Sequence, residues 1–283
     1  MSQLINSVAS LSAMGLVFGA GLSYAASVFA VETDPKEEEI LDALPGANCG
    51  GCGFPGCAGL AGAIAKGEAP VNACPVGGAS VAERIGEIMG TDAQEGVRDV
   101  AKVLCKGTRD LALEKAEYAG ITDCRAAMLV TGGGVKNCEY GCMGFGTCEA
   151  VCPFDAIHVN AGGVAVVDEE KCVACGKCVV ACPKQIIEIK RADKEVVVEC
   201  MNKDIGKHVR VNCSVACIAC RICEKNCPFD AIHVTNNLAK IDYDKCTECM
   251  ICVEKCPTKA ICGDLNNRTP VDIVQKPEAP KEG

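Results

Sequence analysis

Three stretches of this sequence place cysteine at intervals suited to thiolate chemistry: Cys172-x2-Cys175-x2-Cys178-x3-Cys182-Pro183, Cys217-x2-Cys220-x2-Cys223-x3-Cys227-Pro228 and Cys246-x2-Cys249-x2-Cys252-x3-Cys256-Pro257. Three thiolates so close together can wrap one side of an iron-sulfur cubane. The fourth, carried off by the turn that proline makes, reaches a neighbouring cluster. The chemistry implied is single-electron transfer. Crossed ligation predicts that Cys217, Cys220, Cys223 and Cys256 hold one 4Fe-4S centre, and that Cys246, Cys249, Cys252 and Cys227 hold another.

A fourth run is irregular, reading Cys138-x3-Cys142-x5-Cys148-x3-Cys152-Pro153, with Phe145 where the second thiolate belongs. Cys138 is the expected substitute, so that Cys138, Cys142, Cys148 and Cys182 form one set and Cys172, Cys175, Cys178 and Cys152 the other. If Cys138 falls short, a three-ligand cluster with an open iron results. Upstream, Cys49-Gly-Gly-Cys52-Gly-Phe-Pro-Gly-Cys57 closing on Cys74-Pro75 forms a glycine-rich knot whose backbone amides can turn toward sulfur. It supplies a fifth centre. Zinc is the competing metal, but zinc modules pair their thiolates two and two, not in runs of four ending in proline. A disulfide framework would need a secretory context. Of the 25 cysteines, Cys105, Cys124, Cys200, Cys213 and Cys262 stay outside these sets. They read either as buried inert thiols or, for some of Cys105, Cys124, Cys200 and Cys213, as ligands of a sixth metal centre.

The elements that must carry these runs follow from the rest of the chain. There is no tryptophan and only 4% aromatic residues in 283 positions, which points to several small units stabilised by metal rather than one large core. Residues 1–31 contain no charged side chain and are long enough for a transmembrane helix; no basic residue precedes Leu4, which disfavours a cleaved signal. Residues 32–46 read as an acidic, solvated linker, and 47–96 as the 4Fe-4S knot domain, with a helix over Ala79 to Met89 and a hinge over Gly90 to Gly96. Residues 97–137 are expected to be a connecting, mostly helical segment. Cys152-Pro-Phe-Asp-Ala-Ile-His-Val159 recurs unchanged as Cys227 to Val234, 75 residues on, the mark of duplication. Two bacterial-type ferredoxin-like modules are therefore expected at 138–190 and 213–262. Between them lies a strand-rich insert at 191–212, and a disordered tail at 263–283 follows. The fold class is α+β.

The net charge of -9 and pI near 5.0 argue against a nucleic-acid partner. No phosphate-cradling or dinucleotide glycine motif follows a strand, and His158, His208 and His233 form no constellation. No catalytic side chain is therefore expected. From Lys171 to Lys225, 11 Lys and Arg face 6 Asp and Glu, a basic stretch that could dock an acidic redox partner.

The apolar N-terminus, acidic linker, Cys-Gly-Gly-Cys-Gly-Phe-Pro-Gly-Cys knot and tandem ferredoxin runs together resemble the B subunit of the Rnf complex over nearly the whole chain, in its longer form with two modules. The resemblance implies an electron-transfer subunit of an ion-translocating ferredoxin:NAD oxidoreductase, taking electrons from reduced ferredoxin, with NAD and flavin sites on partner subunits. It also implies a location at the cell membrane. Because thiols stay reduced in the cytoplasm, the cluster domains are expected there, on a single-pass anchor.

Overall fold

The computed structural model describes residues 2–28, 34–92, 97–130 and 132–267. Helix α1, Ser2–Val28, runs for 27 residues, about 40 Å, and its described side chains are largely exposed, Leu11, Leu16, Phe18 and Leu22 among them. Among the described residues no helix is long and apolar enough to cross a membrane. The span expected over residues 1–31 is therefore not shown by α1, and residues 29–31 of that expectation lie outside the described residues. Ser12, Gly15, Gly19, Gly21 and Ser23 interrupt its apolar surface.

The acidic segment is not a solvated linker. Asp34 caps α2, Pro35–Ala43, accepting from the Lys36 amide at 3.0 Å, with Pro35 in the first turn. Ile40, Ala43 and Leu44 form a short apolar stripe among the acids and are buried. They pack with Leu60, Ala61 and Ile64 of α3, Gly56–Ala65, and Ile85 of α4, Gly78–Met89. Gly90 ends α4 at φ 70, a left-handed cap that glycine adopts without strain.

Residues 97–137, expected to be mostly helical, hold instead strand β1, Asp99–Val103, a long irregular path and a single short helix, α5, Cys124–Met128. The strand forms because Val100 and Ala101 bury against a partner that lies far along the chain. Next come α6, Thr147–Ala150, the hairpin of β2, Ile157–Val159, with β3, Ala165–Val167, then α7, Lys177–Ala181, and β4, Ile187–Arg191, which pairs antiparallel with β1. The same order follows downstream. Strand β5, Val197–Val198, and helix α8, Gly206–Asn212, precede α9, Ile222–Asn226, the hairpin of β6, Ile232–Thr235, with β7, Leu238–Ile241, then α10, Ile251–Lys255, and β8, Ile261–Cys262, which pairs with β5. The end of the insert expected to be strand-rich, 191–212, is helical: Val209 to Val211 lie in α8, where Val209 is buried. Of the residues 263–283 assigned to a tail, those beyond 267 lie outside the described residues, as do positions 93–96 of the assigned hinge.

Each segment builds a small apolar core around thiols. One gathers Val100, Ile157, Val164, Ile186 and Ile187 with Cys142, Cys148, Cys172 and Cys178; the other gathers Val196, Val209, Ile232, Leu238, Met250 and Ile261 with Cys200, Cys213, Cys217, Cys223 and Cys256.

Candidate iron-sulfur centres

The turn after the last cysteine of each of the four ferredoxin-type runs is the local device that repeats most strictly. In Cys-Pro-x-x, proline fixes the first step, and the residue three after the cysteine is left-handed each time: Asp155 at φ 50, Gln185 at 53, Asp230 at 52 and Lys259 at 54. The chain doubles back, and at two of these turns the next amide points at the sulfur: the Ala156 and Ala231 N–H groups donate to Cys152 Sγ and Cys227 Sγ, both at 3.4 Å. Such N–H···S contacts favour the thiolate.

All 25 cysteines are free thiols. Four small hollows are each lined by four of them. Cys152, Cys172, Cys175 and Cys178 line one, and Cys227, Cys246, Cys249 and Cys252 another, as the crossed pattern predicts. Cys217, Cys220, Cys223 and Cys256 also meet, for burial raises Cys223 to about 11 and the charges of the other three push the same way. At the knot, burial raises Cys74, the Gly77 and Val76 amides lower it, and Cys57 and Cys52 raise it again. The Asn48 side chain steadies that loop, accepting from the Cys57 amide at 2.8 Å.

The irregular run resolves differently from its spacing. Its hollow is lined by Cys124, Cys142, Cys148 and Cys182, without Cys138. Burial, followed by the charges of Cys142, Cys124 and Cys182, pushes Cys148 up to about 12. The structure shows why Cys124 can serve here. Phe145, standing where a ligand belongs, packs on Tyr118 with the rings tilted at 45° and their centroids 4.9 Å apart, and holds the incoming segment. Asp123 caps α5, while Thr147 Oγ1 accepts from the Cys124 amide at 2.7 Å and donates to Asp123 Oδ2 at 2.8 Å. The substitute thiol therefore arrives on its own capped helix, a placement that spacing does not encode.

Cys138 lies elsewhere, in a hollow with Cys105, Cys200 and Cys213. Burial raises Cys200 to about 12, with Cys217 and Cys138 adding their charges, and burial also raises Cys213, with Cys105 and Cys138 adding theirs. This set sits between the two ferredoxin segments: the Cys142 amide donates to Cys105 Sγ at 3.4 Å, and the Cys217 amide donates to Cys200. At the far side of the first segment, Gly51 of the knot packs so closely on Cys175 that a Cβ there would lie 2.9 Å from its Cα. Cys262 lines none of these four hollows. Half-buried, its Sγ accepts from Lys106 Nζ at 2.8 Å and donates to Glu199 Oε2 at 2.9 Å.

Among the described residues no three of His, Cys, Asp and Glu converge tightly enough to share one metal ion. The thiols stand around hollows, an arrangement that fits a bulky polynuclear group with soft sulfur ligands. Short αβ segments, cysteine-proline turns and four-thiol hollows define the class of 4Fe-4S ferredoxin-type electron carriers. Family models agree: one for an Fe-S cluster matches residues 44–76, the 4Fe-4S binding domain matches 165–188 and the 4Fe-4S dicluster domain matches 216–261. The chain is 54% identical over 265 residues to the B subunit of the Na(+)-translocating ferredoxin:NAD(+) oxidoreductase complex of Acetobacterium woodii, covering 94% of this chain and 79% of that one. It is 43% identical over 260 residues to the B subunit of the ion-translocating oxidoreductase complex of Methanosarcina acetivorans, covering 92% and 98%. Against the B subunit of the proton-translocating ferredoxin:NAD(+) oxidoreductase complex of Clostridium ljungdahlii the figures are 43% over 247 residues, with 87% of each chain covered. The chain belongs to the family of B subunits of these ion-translocating oxidoreductase complexes, the Rnf family.

Proposed function

We propose that this chain is the electron-transfer subunit of an ion-translocating ferredoxin:NAD oxidoreductase, and that it holds six 4Fe-4S clusters. The observation that supports this is that four hollows are each lined by four cysteines, while Cys217, Cys220 and Cys256 act on Cys223, and Cys52 and Cys57 act on Cys74 in the knot, where Cys49 completes the fourfold set by its place in the sequence. Five sets are the knot and the four of the tandem ferredoxin-like modules, with Cys124 in the place expected for Cys138. The sixth is Cys105, Cys138, Cys200 and Cys213. Bound clusters supply reversible one-electron chemistry. The chain's own part is to exclude water, donate N–H groups to sulfur and keep neighbouring sets in contact.

Those contacts give a direction. Cys220 is exposed, whereas the other cysteines are buried or half-buried. A Cβ at Gly206 would collide with the Ile218 carbonyl, so the start of α8 lies against the Cys217–Cys220 loop, and Lys203, Lys207, Arg210 and Arg221 are all exposed. This exposed basic surface suits an acidic carrier, and reduced ferredoxin would deliver electrons there. The knot would pass them to partner subunits, which would hold the NAD site. The exposed apolar side chains of α1 would be covered by the membrane or a membrane-embedded subunit, with the cluster domains on the cytoplasmic side.

Iron and acid-labile sulfide per chain, with low-temperature EPR before and after dithionite on anaerobically prepared protein, test this. About 24 of each with reducible cubane signals is the expected result. Zinc without sulfide would sink it.

A further inference from the structure

Beside the hollow of Cys105, Cys138, Cys200 and Cys213 lies a cation that none of the ligand sets uses. Lys136 is only 4% exposed, and its Nζ donates to the Gly107 carbonyl at 2.6 Å and to the Gly163 carbonyl at 3.4 Å. Among the described residues no carboxylate forms an ion pair with it. A buried ammonium is costly without a counter-charge, and two carbonyl dipoles are modest compensation. Lys136 lines this hollow, and its charge acts on Cys213 of this set and on Cys142 of the adjoining one.

A second group faces the same sulfurs. Asn202 is 1% exposed; its Oδ1 accepts from the Asp204 amide at 2.7 Å, which fixes the side-chain orientation so that Nδ2 donates to Cys138 Sγ at 3.3 Å. One buried cation and one locked amide donor therefore converge on this one set.

We propose that Lys136 and Asn202 are positioning residues that raise the reduction potential of the centre held by Cys105, Cys138, Cys200 and Cys213, making it the site where an electron rests between the two modules. The reduced form of a thiolate-bound cluster carries one more negative charge than the oxidised form, so a nearby cation and N–H donor stabilise it more. The lysine's missing counter-charge is then supplied by the centre itself.

This inference rests on the six-centre reading. Its test is an anaerobic redox titration followed by EPR on the full, cluster-loaded chain, with iron content measured first. Lys136→Gln and Asn202→Leu remove the charge and the donor, and Lys136→Arg keeps the charge. The expected result is unchanged iron throughout, with one midpoint potential lowered in Lys136→Gln and in Asn202→Leu and held near its original value in Lys136→Arg. Unchanged potentials at full iron content in both neutral variants would overturn the proposal. Loss of about four irons in Lys136→Gln would make the lysine a structural support and overturn its tuning role, while Asn202→Leu still tests the donor. Wild-type protein with about 20 iron would instead remove the six-centre reading, and this inference with it.

Discussion

A thiol with a pKa of about 12 stays protonated at neutral pH, and burial puts Cys148 and Cys200 in that state when no metal is bound. Their ordinary value is 9.0, so the folded chain binds these protons more tightly than the unfolded one. Stability from this source is complete below pH 9.0 and is lost as pH rises toward about 12. The denaturation midpoint of cluster-free protein should therefore fall steadily above pH 9; a flat profile would contradict the burial described. At the same scale, Cys124→Ser and Cys138→Ser should each lose about four irons, the double variant about eight, and Cys262→Ser none. Had Cys138 completed the irregular run, the double variant would lose no more than Cys138→Ser alone. The regular runs were legible because proximity in sequence is proximity in space. Cys124, Cys105 and Cys200 were not, because their partners are brought in by the Phe145–Tyr118 contact and by strand pairing. One signal was available: Cys138 and Cys213 are 75 residues apart, the repeat offset, and repeat-related residues that share one hollow explain both.

The short elements exist to present cysteines, and their stability comes from a few apolar residues that pattern reading undervalues. Helix α2 was hidden because Ile40 and Ala43 sit among Glu37, Glu38, Glu39 and Asp42, and composition there favours solvent. Yet Ile40 is fully buried, and Ile40→Ala should destabilise the knot by about 2–5 kcal/mol, seen as earlier protease cleavage within residues 34–90. A solvated linker would be indifferent to that change. The helix of α4 was readable because its apolar spacing is regular and Gly90 stops it. Strand β1 was not, since its partner β4 lies more than eighty residues on and nothing local distinguishes Val100 from a helical valine.

At the scale of the whole molecule, the knot meets the rest of the cluster-bearing chain where Gly51 abuts Cys175. Gly51→Val should leave iron content intact but slow electron exchange between the knot and the adjoining centre, measured by freeze-quench EPR after mixing with reduced ferredoxin. An unchanged rate would show that this contact is not the route. Replacing Lys203, Lys207 and Arg210 with glutamine should slow electron uptake from ferredoxin most at low ionic strength, and equal rates at all salt concentrations would place the docking surface elsewhere.

The sets of four also differ in how much of the chain must already be in place. Cys49, Cys52, Cys57 and Cys74 lie within one short stretch, but Cys105, Cys138, Cys200 and Cys213 come from segments on both sides of the first module. Their hollow closes only after both modules have folded and docked. On the proposed six-centre reading, cofactor delivery to this hollow would follow the folding of both modules, so a chain carrying metal there would already be assembled.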